Sequence, residues 1–250
     1  MRSAKADLLR LRLWLAFVAV LAVFSLWPGL DLWVSGLFYR PATGFWLAEN
    51  RAMAEARQQI WDIVLLVLFA ALALGLWALW RRGPPLWGIP ARVWWFVVAL
   101  YLTGPGLVVN LILKSHWGRA RPADVAEFGG SALFTAPLER AGQCLHNCSF
   151  VSGEGAGVMA LAISVMVILT AALPRLHRGD RLAAQITLGV LVAVGAGMRV
   201  MTGRHFLSDT LLSMLIVCLL AEALARLILT PEGARLSGLR ARISGLFHRR

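Results

Sequence analysis

Residues Leu182–Asp209 read LAAQITLGVLVAVGAGMRVMTGRHFLSD. The uncharged run to Met198 is long enough to cross a bilayer as a helix, and it ends in a polar cluster of Arg199, His205 and Asp209. This stretch sets an Arg, a His and an Asp at a membrane surface. His205 and Asp209 stand four residues apart, a spacing that brings their side chains together if the segment is helical. In that geometry Asp209 holds one ring nitrogen as a donor and leaves the other lone pair free to attack, while Arg199 offers a planar fork to phosphate oxygens. A solvated polar loop between two spans is the plain alternative.

The same apolar signature recurs along the chain. Uncharged runs fill Leu13–Leu30, Ile63–Trp80, Val93–Leu113 and Gly155–Leu173, and a sixth run starts near Ser208, stays apolar from Thr210 to Ala221 and carries Glu222 and Arg226 near its far end. With 59% hydrophobic residues, 15% charged residues and a mean hydropathy of +0.70, the 250 residues exclude an ordinary soluble domain. The expectation is an all-α integral membrane protein of six transmembrane helices. Residues 1–250 read as a single domain, because no repeat, low-complexity segment or linker interrupts them.

Six spans put both termini on one side, and the basic residues say which. Sixteen Lys and Arg lie before the first span, in the second-to-third and fourth-to-fifth connections and from Arg226 onward, against Asp7, Asp180, Glu222 and Glu232. That side carries all of the formal +12, and the other side, with nine residues of each sign, carries none. By the positive-inside rule the termini are cytoplasmic and the opposite face is periplasmic in a bacterial inner membrane. The basic balance calls for no nucleic acid; anionic inner-leaflet lipids at the basic termini account for it. A tail helix with Leu236, Leu239, Ile243 and Leu246 on one face suits that leaflet.

The N-terminus has the basic start and apolar core of a secretory signal, but Trp27, Pro28, Gly29 and Asp31 close the run where a cleavage site belongs, so it reads as an uncleaved signal-anchor. The aromatic, amphipathic segment that follows is expected to lie along the outer interface. Asn50 is placed to cap a helix carrying Arg51, Glu55 and Arg57 into the second span. Gly104, Pro105 and Gly106 in the third span predict a kink, read as close helix packing in preference to a substrate gate.

Two further stretches share the outer face. After the third span comes KSHWGRARP, with Lys114, Arg119 and Arg121, a cation cluster that alone would suit lipid headgroups. Before the fourth span comes CSFVSGEGA, where Ser152, Gly153 and Glu154 put a hydroxyl and free backbone amides at a helix N-terminus, an anion site that is also ordinary capping chemistry. Together with the RVMTGRHFLSD stretch they can converge. Lys114, Arg121 and Arg199 would hold phosphoryl oxygens, Ser152 and Gly153 would stabilise charge in flight, and His205 would attack.

KxxxxxxRP, then a Ser-Gly pair at a helix start, then RxxxxxHxxxD resembles the three-part pattern of the type 2 phosphatidic acid phosphatase and vanadium haloperoxidase superfamily. The motifs cover residues 110–209, and the six-span layout extends the resemblance to the whole chain. It implies a metal-independent lipid phosphatase, without cofactor, working through a phosphohistidine. By motif position Lys114, Arg121 and Arg199 bind phosphate, Ser152 and Gly153 are transition-state donors, His205 is the nucleophile and Asp209 its orienting partner. Two positions depart from the pattern. Glu154 stands where many relatives have a His that protonates the leaving oxygen, and Met198 stands where a small residue is usual. The haloperoxidase branch is soluble and binds vanadate, unlike a chain that is mostly membrane spans.

A site at the bilayer surface gives a lipid phosphate lateral access. Lipid A at its anomeric phosphate and a polyprenyl diphosphate lead the candidates, ahead of phosphatidylglycerol phosphate and phosphatidate. A lipid phosphotransferase and a non-catalytic lipid-phosphate binding or transport protein are the alternatives. In the outer loop, Cys144 and Cys148 are read as a possible disulfide, with free thiols or a zinc site completed by His116 or His146 as the other options. Cys218 reads as packing within the sixth span.

Overall fold

Six helices are long and apolar enough to span a membrane, in a computed structural model that describes residues 2–81 and 84–230. They are α1 (Arg2–Leu26), α3 (Arg51–Arg81), α4 (Ala91–His116), α5 (Gly153–Ala172), α6 (Arg178–Met201) and α7 (Leu207–Leu229); a short α2 (Gly29–Gly36) follows the first span. The all-α six-span architecture expected from the sequence is what the chain adopts. The tail expected to form a surface helix lies outside the described residues.

Helix α1 stops four residues earlier than its apolar run. Pro28 has no N–H to continue the ladder, and the chain restarts as α2 directly after it. The segment expected to lie along the interface folds into α2 and a small antiparallel hairpin that pairs Tyr39 with Phe45 and Arg40 with Gly44. Tyr39, Phe45 and Phe128 form an aromatic cluster with ring centroids 5.1 to 5.5 Å apart, which ties this hairpin to the loop after α4. Asn50 caps α3 as expected, its side-chain oxygen accepting from Met53 N at 3.0 Å. With 31 residues, α3 is roughly 46 Å long, well beyond a hydrocarbon core of about 30 Å. Its first turns carry Arg57 to Glu154 at the start of α5.

Helices α4 and α5 are the innermost spans and α1 the most peripheral. Trp94, Phe96, Val97, Leu100 and Tyr101 of α4 bury themselves against Ala156, Ala160 and Leu161 of α5 and Leu212 and Val217 of α7. Leu66, Phe69, Leu111 and Ile186 remain exposed, as lipid-facing residues must. The kink in α4 takes the form of a π-helical winding over Leu102–Leu113 around Pro105. Asn110 Nδ2 donates to the Pro105 carbonyl at 2.8 Å, a side-chain bond that braces the winding one turn after the proline. A side chain at Gly104 would meet Val217 of α7 at 3.4 Å, so the small residue serves helix packing.

The N-terminal ends of α3, α5 and α7 and the C-terminal ends of α4 and α6 all emerge at one end of the bundle, opposite the start of α1. At the far end, Arg226 Nη1 lies 2.9 Å from Asp7 and also pairs with Glu222, tying α1 to α7.

Candidate active site

The RxxxxxH spacing is a wrapped helix end. Helix α6 finishes at Met201, Gly203 turns the chain at φ +67°, and the N–H groups of Arg204 and His205 both return to the Arg199 carbonyl, at 3.0 and 3.1 Å. This folds His205 back beside Arg199. A Cβ at Gly203 would sit 2.5 Å from the Phe45 ring, so glycine is required by space as well as by φ. The loop after α4 is stitched to the same turn, with Ala123 N donating to Gly203 O at 3.0 Å, which delivers Arg121.

Ser152 caps α5, its Oγ accepting from Gly155 N at 3.1 Å. Gly153 N has no backbone partner among the described residues, and a Cβ at Gly153 would lie 2.8 Å from Asn110 Oδ1. The kink of α4 and the start of α5 are therefore fitted to one another. The cap does not use up the hydroxyl, because an oxygen that accepts from Gly155 still has its own proton to donate.

A cavity of about 380 Å³ opens among these elements, lined by Lys114, Arg121, Glu154 and Arg199 of the expected set and also by Arg57, Asn147 and Arg204. Glu154 is gripped from two sides, with Arg57 Nε 3.1 Å from one carboxylate oxygen and Arg199 Nε 2.8 Å from the other. That Arg199 N–H makes no hydrogen bond of good geometry, so the guanidinium is held by charge with a donor in reserve. Burial, then the neighbouring Arg204, lowers the Arg121 pKa, as expected of crowded cations. Arg57 and Arg204 are additions the motifs did not contain. Arg57 did leave a trace: positions 53, 54, 60 and 61 hold Met, Ala, Ile and Trp, so no carboxylate sits within helical reach of it.

His205, Ser152, Gly153 and Asp209 are buried and are not among the residues that line the cavity. His205 is 1% exposed. Burial first, then Lys114, Arg199 and Arg121, drives its pKa well below 6.5, so the imidazole is neutral at pH 7. Its Nδ1 donates to the Ser149 carbonyl at 2.7 Å, which leaves the Nε2 lone pair available.

The expected contact between Asp209 and the imidazole is absent, because helix α7 begins at Leu207 and His205 lies in the preceding turn, where the four-residue helical spacing does not apply. Asp209 spends its carboxylate elsewhere. Oδ1 accepts from Arg119 Nη1 at 2.5 Å, and Oδ2 accepts from Ser149 Oγ at 2.6 Å and Phe206 N at 3.0 Å. Arg119, fully buried, also donates to Asp31 Oδ2 at 2.9 Å, Ser208 Oγ at 2.9 Å and the Thr135 carbonyl at 2.8 Å, with its guanidinium 4.3 Å from the Phe206 ring. Asp31 in turn accepts from Ser208 N and Oγ. Asp209 thus bears on His205 through Ser149 and through the Phe206 amide that follows it, without touching the ring, and a buried Asp31–Arg119–Asp209 chain stands behind it. Arg119 looked like a third surface cation in the sequence. A lone Asp31 among apolar residues was the local sign of a buried partner.

Cys144 and Cys148 form a disulfide, with Cα atoms 5.6 Å apart, which takes both thiols out of the zinc alternative. Asn147, inside the five-residue ring, turns its carbonyl to Arg121 Nη2 at 2.7 Å and Nε at 3.2 Å.

Residues 92–231 match the sequence model of the PAP2 superfamily. The chain is 30% identical over 209 residues to a lipid A 4′-phosphatase of Rhizobium leguminosarum, covering 79% of this chain and 86% of that one. A lipid A 4′-phosphatase of Francisella tularensis subsp. novicida (strain U112) is 31% identical over 188 residues, covering 74% and 80%. In fold the chain is similar to the crystal structure of a transmembrane PAP2-type phosphatidylglycerolphosphate phosphatase from Bacillus subtilis, with a TM-score of 0.55 at 18% identity, over 86% of this chain and 93% of that one.

Proposed function

The chain belongs to the PAP2 superfamily, and from that premise we propose that it is a membrane lipid phosphatase that removes a phosphate from a lipid A-type glycolipid through a phosphohistidine. The observation that carries this reading is the state of His205: neutral, with Nδ1 locked onto the Ser149 carbonyl and three cations close enough to lower its pKa.

Lys114, Arg121 and Arg199 bind the three non-bridging oxygens of the phosphoryl group. His205 Nε2 attacks phosphorus, the N–P bond forms as the P–O bond to the lipid breaks, and the lipid oxygen leaves with the bonding pair. The Ser152 hydroxyl and the Gly153 amide stabilise charge on the phosphoryl oxygens in flight. Water then attacks phosphorus, gives up a proton and releases inorganic phosphate, restoring His205. An incoming phosphate dianion competes with Glu154 for Arg199, which frees the carboxylate to accept the proton of that water.

Glu154 as a base leaves the first step without a strong acid, which favours leaving groups stable as anions, such as an anomeric oxygen or the phosphate of a diphosphate. The names of the relatives point to the 4′ phosphate, an ester of an ordinary sugar hydroxyl. These are different phosphates, and a substrate panel separates them. The reading places the protein in a bacterial inner membrane with the site facing the periplasm, supported by the charge asymmetry, and with anionic inner-leaflet lipids as partners of the basic termini.

The test is phosphate release by purified protein from lipid A, with its 1- and 4′-phosphates scored separately, a polyprenyl diphosphate, phosphatidylglycerol phosphate and phosphatidate. We expect turnover on lipid A, abolished in His205→Ala while the variant remains folded. Parental turnover by His205→Ala removes the phosphohistidine, and no turnover on any lipid favours a binding protein. Phosphate appearing on a second lipid instead of in solution identifies a phosphotransferase.

A further inference from the structure

The geometry points to the Cys144–Cys148 disulfide as a positioning device for Arg121, acting through the Asn147 carbonyl, so that the phosphate affinity of the cavity depends on the bridge being oxidised. This rests on reading Arg121 as a phosphate ligand. The bridge closes a five-residue ring whose two ends are held very differently. Cys148 is buried at 1% exposure, and the next residue, Ser149, is pinned by its N–H to the Arg119 carbonyl at 2.9 Å and by its Oγ to Asp209 at 2.6 Å. On the other flank Gln143 N reaches the Gly118 carbonyl at 3.0 Å. Between these anchors no backbone hydrogen bond secures residues 144–147 among the described residues, and Leu145 is 83% exposed.

Within that ring Asn147 adopts φ +53°, a left-handed conformation that asparagine takes more readily than other residues with a side chain. In this conformation one carbonyl receives two donors of the same guanidinium, which fixes both the position and the plane of Arg121. Asn147 and Arg121 line the cavity side by side. Reduction by a dithiol supplies two electrons and two protons, breaks the sulfur–sulfur bond and leaves two thiols, one of them on a segment held, apart from its ends, by the Arg121 bonds to Asn147. The carbonyl then loses its fixed direction, and Arg121 loses its plane. Ser149 keeps its own anchors, so the imidazole of His205 stays where it was.

This difference predicts a split between binding and turnover. The probe is inorganic phosphate, titrated calorimetrically into the purified full-length protein before and after treatment with dithiothreitol, with mass spectrometry to confirm reduction. Reduction should weaken phosphate binding about ten-fold, the scale of one charge-assisted hydrogen bond. KM for the lipid should rise in parallel with kcat within about two-fold, since the nucleophile is untouched. The Cys144→Ser/Cys148→Ser variant should match the reduced protein and ignore dithiothreitol. Arg121→Gln should bind phosphate weakly and also ignore it. Because the parent is reduced after folding, a failure of the double variant to fold leaves the measurement intact. Equal phosphate affinity before and after confirmed reduction overturns the inference, as does a fall in kcat at unchanged affinity. Redox-dependent phosphate binding in a protein that hydrolyses no lipid sinks the proposed function and leaves this inference standing.

Discussion

Asp209→Asn separates a carboxylate that orients the nucleophile directly from one that works through Ser149. The substitution keeps the shape and removes the charge. If the amide oxygen faces Arg119, the NH₂ group faces two donors, Ser149 Oγ–H and Phe206 N–H; turned the other way, it faces the guanidinium. Both orientations leave Arg119, fully buried, with Asp31 as its remaining carboxylate. Removing one partner of a buried ion pair costs roughly 3 to 5 kcal/mol, and the surviving Asp31 contact argues for the lower end, about 3 kcal/mol. The effect on rate should be smaller than for a direct partner. Losing the carboxylate behind a catalytic histidine that it touches costs about 10⁴ in kcat, whereas a shift transmitted through the Ser149 carbonyl should cost about 10- to 100-fold. Ser149→Ala is the matched control, since it deletes the hydroxyl bond to Asp209 and keeps the carbonyl that holds His205; it should cost about 1.5 to 3 kcal/mol. Thermal unfolding in detergent and kcat on the best lipid substrate measure the two effects side by side. An Asp209→Asn protein with parental stability and a 10⁴ loss of kcat would refute the relay.

Because burial and the cations hold the His205 pKa well below 6.5, the acid limb of kcat/KM should lie below pH 6.5; Lys114→Gln should move it upward, and an unmoved limb would mean that another group sets it. The same depression makes the unfolded chain bind a proton before the folded one does. Stability attributable to His205 is therefore present above about pH 6.5 and lost as pH falls below it, and a pH–stability profile of His205→Gln should lack that component. Glu154→Gln releases Arg57 and Arg199, so product phosphate should inhibit more strongly while kcat falls about 100-fold; unchanged kcat on every lipid of the panel removes the base from the mechanism. Ala123 is exposed beside the site, and a cysteine there, in a chain with Cys144 and Cys148 replaced, should react with an impermeant thiol reagent in intact spheroplasts; reaction only after lysis would put the site on the cytoplasmic face.

Much of this protein was legible without coordinates because the signals are local or are set by the solvent. A bilayer demands long uncharged helices, so six runs declare six spans, and Asn50 and Ser152 announce their helix starts through side chains that cap within three residues. The three motifs are short and each lies at a helix end, so the face they share follows from counting spans. What a linear reading could not supply is the partner of each charge. Asp31 and Arg119 are 88 residues apart, Arg119 and Asp209 90, and Arg57 and Glu154 97, and in each case only the packing of the bundle makes them neighbours. For that reason Arg119, a surface cation by its sequence context, is fully buried, and Arg57, which belongs to none of the three motifs, lines the cavity. The same holds for Asp209: its distance from His205 in sequence suggested a contact, but a helix that starts two residues after His205 sends the carboxylate toward Arg119 and leaves the imidazole to a backbone carbonyl. Residue type and spacing determine which chemistry is present at this membrane face. Which charge answers which is decided by tertiary packing, because buried charges must be paired wherever the fold brings an opposite one within reach.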